Sequence, residues 1–215
     1  MIVIFNGPPS TGKDEACLYL KKLGYKHLCF KEELFKATTD YYNVSLDWFL
    51  EGYNDRSIKE KPESRLGGLS RRQAMIYVSE EIIKPSRGKE FFGSQLAKQI
   101  EEGCFYCVSD GGFEEELTPI INKVGADNVI LVQLTRDGCD FSFDSRKYFN
   151  GDLIEEFVLR KETSIANFHM LSKKFGIRTY RVHNNGTIEE FHSVLLKIHE
   201  KESDAQNKKT KGDIY

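Results

Sequence analysis

The chain has 215 residues, 40% hydrophobic and 30% charged, with 31 basic against 33 acidic side chains and a formal charge of −2. This balance excludes a disordered chain, and it excludes nucleic-acid binding through a global positive field. No apolar run approaches the roughly 20 residues of a membrane helix, so no membrane span is expected.

In chain order, Ile2 to Asn6 is a short apolar run that suits a strand buried on both faces. It lacks a basic n-region, so it reads as a strand and not as a signal peptide. Lys13 to Leu23 has helical spacing at Ala16, Leu18, Leu20 and Leu23, and stops at Gly24. A strand over Tyr25 to Phe30, a helix over Lys31 to Tyr42 and a helix capped by Ser45 follow. Gly52 to Leu69 is polar and rich in turn residues, which marks a functional loop. Ser70 caps a helix from Arg71 to Ile83 that is expected to break before Pro85, and a further helix covers Phe91 to Glu102.

The strand Cys104 to Ser109 ends at Asp110-Gly111-Gly112. Then come a helix from Glu114 to Val124, a strand from Val129 to Leu134 and an irregular charged stretch from Thr135 to Gly151. A helix around Thr163 to Phe175, a strand from Arg178 to Val182 and a helix from Thr187 to about His199 complete the order. Residues 200–215 lack apolar periodicity and are expected to be a disordered tail. Strands alternating with helices imply an α/β protein, with a parallel sheet of about five strands, helices on both faces and right-handed crossovers. Gly7, Asp110 and Arg136 each follow a strand and so share the carboxyl rim, where such sheets bind ligands.

Gly7-Pro8-Pro9-Ser10-Thr11-Gly12-Lys13 matches G-x-x-x-x-G-K. Chance gives about 0.06 such matches in a chain of this size, and here a strand precedes the motif and a helix follows it. A loop of this kind turns backbone N–H groups towards phosphate at a helix N-terminus, and the Lys reaches the β- and γ-phosphates. ATP and Mg²⁺ are therefore the expected cofactors, held by Gly7 through Asp14. Asp14 stands where a Ser or Thr usually ligates Mg²⁺; a carboxylate can serve directly or through water, and Asp110 is its natural partner at a strand end.

The five cysteines are an odd set that reads as reduced thiols in a cytoplasm. Cys104 and Cys107 form a lone CxxC inside an apolar run, which reads as strand core and not as a metal half-site. The histidines show no metal-ligand spacing. Among the arginines, Arg56 lies in the Gly- and Pro-punctuated loop and Arg72 follows shortly after it, while Arg136 and Arg146 bracket the irregular stretch after the fourth strand. Phosphoryl transfer uses such side chains to stabilise dispersed negative charge, with Lys13, Asp110, Arg136 and Arg146 as the catalytic candidates. Trp48 and Phe35 are candidate base contacts, with core packing as the plainer reading.

The GKD ending of the loop, Asn54-Asp55-Arg56, Leu69-Ser70-Arg71-Arg72-Gln73, Phe92-Gly93 and Val108-Ser109-Asp110 with Phe113 and Glu116 together resemble the deoxynucleoside monophosphate kinases of bacteriophages. The resemblance spans about residues 2–135. It implies a three-layer P-loop kinase core over 1–199, an acceptor-binding insertion over about 31–102 and a lid over about 135–160. It implies ATP-dependent transfer to a (deoxy)nucleoside monophosphate, with Arg56 and Arg72 on the acceptor phosphate. Relatives usually carry an Arg two residues after the strand-end Asp, where this chain has Gly112. Two other readings stand beside it: a kinase of a hydroxymethylated base in phage DNA, and a nucleotide-binding regulatory protein without transfer activity. A nucleotide is the expected partner, DNA only under the second reading; the sequence leaves a homodimer open and does not choose the acceptor's base or sugar.

Overall fold

A computed structural model describes residues 1–55, 57–142, 146–149, 164–168 and 175–212. The chain divides into two compact units. The first comprises Met1–Leu28, Glu102–Phe113 and Val124–Tyr215; the second comprises Cys29–Glu101 and Glu114–Lys123.

The first unit is built on a six-stranded sheet in the order β2-β3-β1-β4-β6-β5. Its strands are β1 (Ile2–Asn6), β2 (Lys26–Leu28), β3 (Tyr106–Gly111), β4 (Val129–Thr135), β5 (Ser164–Phe168) and β6 (Arg178–His183). Five of them run parallel, and β5 is antiparallel to β6 at one edge. Every residue of β1 is buried, as expected of a central parallel strand covered on both faces. Side chains alternate across the pleat, so Val3 and Phe5 share one face. They pack there with Ala16, Cys17 and Leu20 of α1 (Lys13–Lys22), and with Phe191, Leu195 and Ile198 of the last helix.

Two expectations are corrected in this unit. The segment expected to be helical over Thr163 to Phe175 contains β5, whose Ser164 to Phe168 pair with His183 to Thr179. Pairing with the open edge of β6 supplies main-chain hydrogen bonds that outweigh a local helical pattern. The last helix, numbered α8 below, does not stop near His199; it spans Ile188–Gly212. Its start carries a reciprocal cap, in which the Glu190 amide donates to Thr187 Oγ1 and the Thr187 amide donates to Glu190 Oε2. Its extension makes tertiary contacts of its own. Glu202 is 1% exposed, accepts a hydrogen bond from Tyr180 Oη and lies 2.8 Å from Arg178 Nη1. Gln206 Nε2 donates to Asn128 Oδ1 at 3.2 Å, so a polar stretch without apolar periodicity is tied to distant residues by polar contacts.

The second unit is helical around a small core of Phe49, Leu66, Ala74 and Met75, with Leu34, Phe35, Trp48 and Tyr53 packed against it. Its helices are α2 (Lys31–Tyr42), α3 (Leu46–Asn54), α4 (Arg71–Tyr77), α5 (Lys84–Arg87), α6 (Phe91–Lys98) and α7 (Leu117–Val124). Between α4 and α5 the chain continues as a π-helix over Val78–Ile83, so the expected break before Pro85 does not occur. Pro85 instead lies in the first turn of α5, directly after the π-helical stretch. Glu114 to Glu116, expected as the start of a longer helix, is a separate 3₁₀ turn before α7.

All five cysteines are free thiols, with Cys107 buried in β3 and Cys104 just before it. Among the described residues, no helix is long and apolar enough to cross a membrane.

Candidate phosphate-binding site

The loop Gly7–Gly12 leaves β1 and enters α1 directly. Two of its residues take left-handed backbone, Ser10 at φ 66° and Gly12 at φ 101°. A residue with a Cβ rarely adopts the latter, so Gly12 sets the turn. Gly12 is also the N-cap of α1, and no side chain caps this helix end. In α3, α4 and α8, by contrast, Ser45, Ser70 and Thr187 satisfy first-turn amides themselves. The first N–H groups of α1 thus remain available to an anion beside the positive end of the helix dipole.

Lys13 is the first residue of α1 and is 8% exposed. Its ammonium turns back across the loop and donates to Gly7 O at 2.7 Å and Pro8 O at 2.6 Å. Thr11 Oγ1 donates to Pro8 O at 2.9 Å, and Asn184 Nδ2 donates to Thr11 O at 2.9 Å. Asn184 itself donates its amide to Thr135 O at 2.8 Å, so the end of β6 braces the loop against the end of β4. The result is a braced loop with one buried cation bonded across it.

Asp14 is exposed in the first turn of α1, and Asp110 is 5% exposed near the end of β3. The Cys17 thiol is pushed up by its hydrogen bond with Cys107, by burial and by the charges of Asp14 and Asp110. The two carboxylates therefore act on one neighbouring group. Among the described residues no cluster of three metal-ligating side chains occurs. Mg²⁺ held mainly by phosphates and water needs only one or two carboxylates, so Asp14 and Asp110 are a fitting donor set.

The arginines expected to form a lid differ from one another. Arg136 is exposed, in a turn closed by the Cys139 amide on Arg136 O at 3.1 Å. Arg146 is half-buried, and its stem crosses the end of β3: a Cβ at Gly112 would overlap Cγ and Cδ of Arg146. The space that a side chain at position 112 would take is filled by an arginine from position 146. The following residues are strapped over the sheet rim. Asn6 Nδ2 donates to Gly111 O at 3.1 Å and to Lys147 O at 3.0 Å, while Asn6 Oδ1 accepts from the Phe149 amide at 3.1 Å. Gln133 Nε2 donates to Phe149 O at 3.0 Å, and Tyr148 Oη donates to Leu134 O at 2.8 Å. Burial pushes the Tyr148 phenol up, which keeps it protonated as a donor. Arg146 is thus fixed at the carboxyl rim of β3. The other positions of the expected lid at 143–145 and 150–160 lie outside the described residues.

The expected acceptor residues belong to the second unit. Arg56 lies outside the described residues. Arg72 is partly exposed and lies 3.7 Å from Glu60. Phe35 packs on Tyr53 and Phe49 at centroid distances of 4.9 and 6.2 Å. The Trp48 indole carries the guanidinium of Arg71 at 4.4 Å and that of Arg65 at 5.1 Å. Asn6, Asn184 and Arg71 were missed in the sequence reading. For Asn6 a signal existed, since it is the polar residue that ends the apolar run Ile2 to Phe5; Asn184 follows the polar strand Arg178–His183 and carries no such signal. No family model matches the chain, and no curated protein shows significant similarity to it.

Proposed function

We propose that the protein is an ATP-dependent phosphotransferase acting on a (deoxy)nucleoside monophosphate. One observation carries the reading: the buried Lys13 ammonium lies across a braced Gly7–Gly12 loop that opens onto an uncapped helix N-terminus. Backbone N–H groups, a helix dipole and a desolvated cation favour the triphosphate tail of a nucleotide. A fixed cation next to developing charge on the transferring group lowers the barrier without reorganisation. Mg²⁺ would be held by phosphate oxygens with Asp14 and Asp110, neutralising charge between donor and acceptor. Arg146, fixed at the β3 rim, would add a guanidinium beside that position.

The test is ATP consumption with a panel of acceptors: ribo- and deoxynucleoside monophosphates, DNA carrying hydroxymethylated bases, and no acceptor. A monophosphate should stimulate turnover, and Lys13→Ala should lose about 10²- to 10³-fold while remaining folded by circular dichroism. Near wild-type turnover in Lys13→Ala would overturn the P-loop reading. Stimulation by DNA alone would replace the acceptor with a polymer, and ATP binding without stimulation by any acceptor would make the protein a nucleotide-binding regulator.

A further inference from the structure

The geometry points to Arg71, seated in a slot made by Trp48 and Gly52, as the residue of the second unit that binds a phosphomonoester dianion. The slot follows from helical periodicity. Trp48 and Gly52 are four residues apart on α3 and so lie on one face. The indole forms one wall, with Arg71 Cζ 4.4 Å from its centre. The missing side chain of Gly52 forms the other, since a Cβ there would overlap Cζ and Nε of Arg71. Arg71 Nε donates to Phe49 O at 3.2 Å, which fixes the plane of the guanidinium.

This cation is only 3% exposed, yet among the described residues no carboxylate pairs with it. A buried charge without a counter-charge is costly, and a native site retains one where a ligand supplies the missing charge. Of five guanidinium donors, one is used on Phe49. Among the described residues, the terminal nitrogens have no hydrogen-bond acceptor, which leaves their donors for a ligand. A second guanidinium, Arg65, lies 5.1 Å from the same indole. Two like charges converging on one ring repel each other and together favour a dianion. Arg72, in contrast, already lies near Glu60. The identity of the anion's carrier, a nucleoside monophosphate, rests on the phosphotransferase reading; the anion site itself rests on Arg71.

Trp48 is the single tryptophan of the chain, so its emission reports this slot directly. The full chain is titrated, without ATP or Mg²⁺, with inorganic phosphate, a deoxynucleoside monophosphate, the matching nucleoside and a short single-stranded oligonucleotide. Phosphate and the monophosphate should each change Trp48 emission saturably, and the nucleoside alone should not. Arg71→Lys should weaken the monophosphate by roughly 10- to 150-fold, because Lys lacks the planar fork. Gly52→Ala keeps the charge but displaces the guanidinium, and should weaken it in the same sense. Lys36→Ala, which removes an exposed cation of the same unit that pairs with Glu33, should stay within about twofold of wild type. The proposal is overturned if wild-type emission does not respond to either phosphate compound, if Lys36→Ala loses as much as Arg71→Lys, or if the oligonucleotide binds more tightly than the monophosphate. Because the wild-type titration and Gly52→Ala stand apart from Arg71 variants, misfolding of Arg71→Lys does not block the decision. A Trp48 response to phosphate in a protein whose ATP consumption no acceptor stimulates would keep this site and remove the phosphotransferase reading.

Discussion

In the sheet unit the buried polar side chains Asn6, Thr11, Lys13 and Asn184 all donate to backbone carbonyls, whereas in the helical unit the buried Arg71 has one donor on a carbonyl and, among the described residues, no acceptor for the rest. The first pattern builds a rigid scaffold, because each bond fixes loop backbone to a strand end. The second holds a charge in place without neutralising it. The difference teaches that burial of a polar group has two uses, closing a structure or presenting a ligand site, and that the partner list separates them. Lys13 belongs to both: its ammonium is satisfied by Gly7 O and Pro8 O, yet those same carbonyls border the uncapped end of α1.

The comparison breaks first at the sheet rim. Asn6→Ala removes three hydrogen bonds, at about 0.5–1.5 kcal/mol each, for a total of about 1.5–4.5 kcal/mol. Denaturant midpoints measure this, and the Phe149 amide should lose protection from hydrogen exchange. A loss below about 0.5 kcal/mol with Phe149 still protected would mean that the strap over β1 does not hold residues 146–149.

A smaller effect is expected from Ser70→Ala in the helical unit. Ser70 is 1% exposed and forms a full capping box with Gln73, so about 1 kcal/mol should be lost. The cap also sets the start of α4, from which Arg71 projects. Phosphate-induced Trp48 emission should therefore weaken along with stability. If stability falls and the emission response is unchanged, the seat of Arg71 depends on α3 alone.

The smallest stability effect belongs to Asp14→Ala, at about 0.3–1 kcal/mol for the lost charge in the first turn of α1. Its consequence for Mg²⁺ dependence should be larger. The Mg²⁺ concentration for half-maximal turnover should rise several-fold, as expected on losing one of two carboxylate ligands. Unchanged Mg²⁺ dependence would leave Asp14 as a helix-end charge and nothing more.

What could be read in the sequence was whatever is written in consecutive residues. The motif Gly7 to Lys13 is seven residues between an apolar strand and a helix, and Gly12 supplies the left-handed backbone at which the helix starts. The strand and helix order was legible for the same reason: burial on both faces makes the first residues of β1, β3 and β4 an apolar run, and helical spacing marks α1. Elements fixed by distant partners were not legible. β5 pairs with the edge of β6, and the far half of α8 meets distant residues where Glu202 contacts Arg178 and Tyr180 and Gln206 contacts Asn128. The same limit applied to the arginines. Arg71 and Arg72 are neighbours in sequence with equal chemistry, and only the packing of α4 on α3 buries one against Trp48 and leaves the other near Glu60. Likewise Gly112 alone reads as a missing side chain, and only the crossing of Arg146 shows the space to be filled. A sequence fixes local backbone geometry through the steric and hydrogen-bonding properties of adjacent residues. The counter-charge that a buried group meets is decided by residues far along the chain, so it exists only once the tertiary structure has formed.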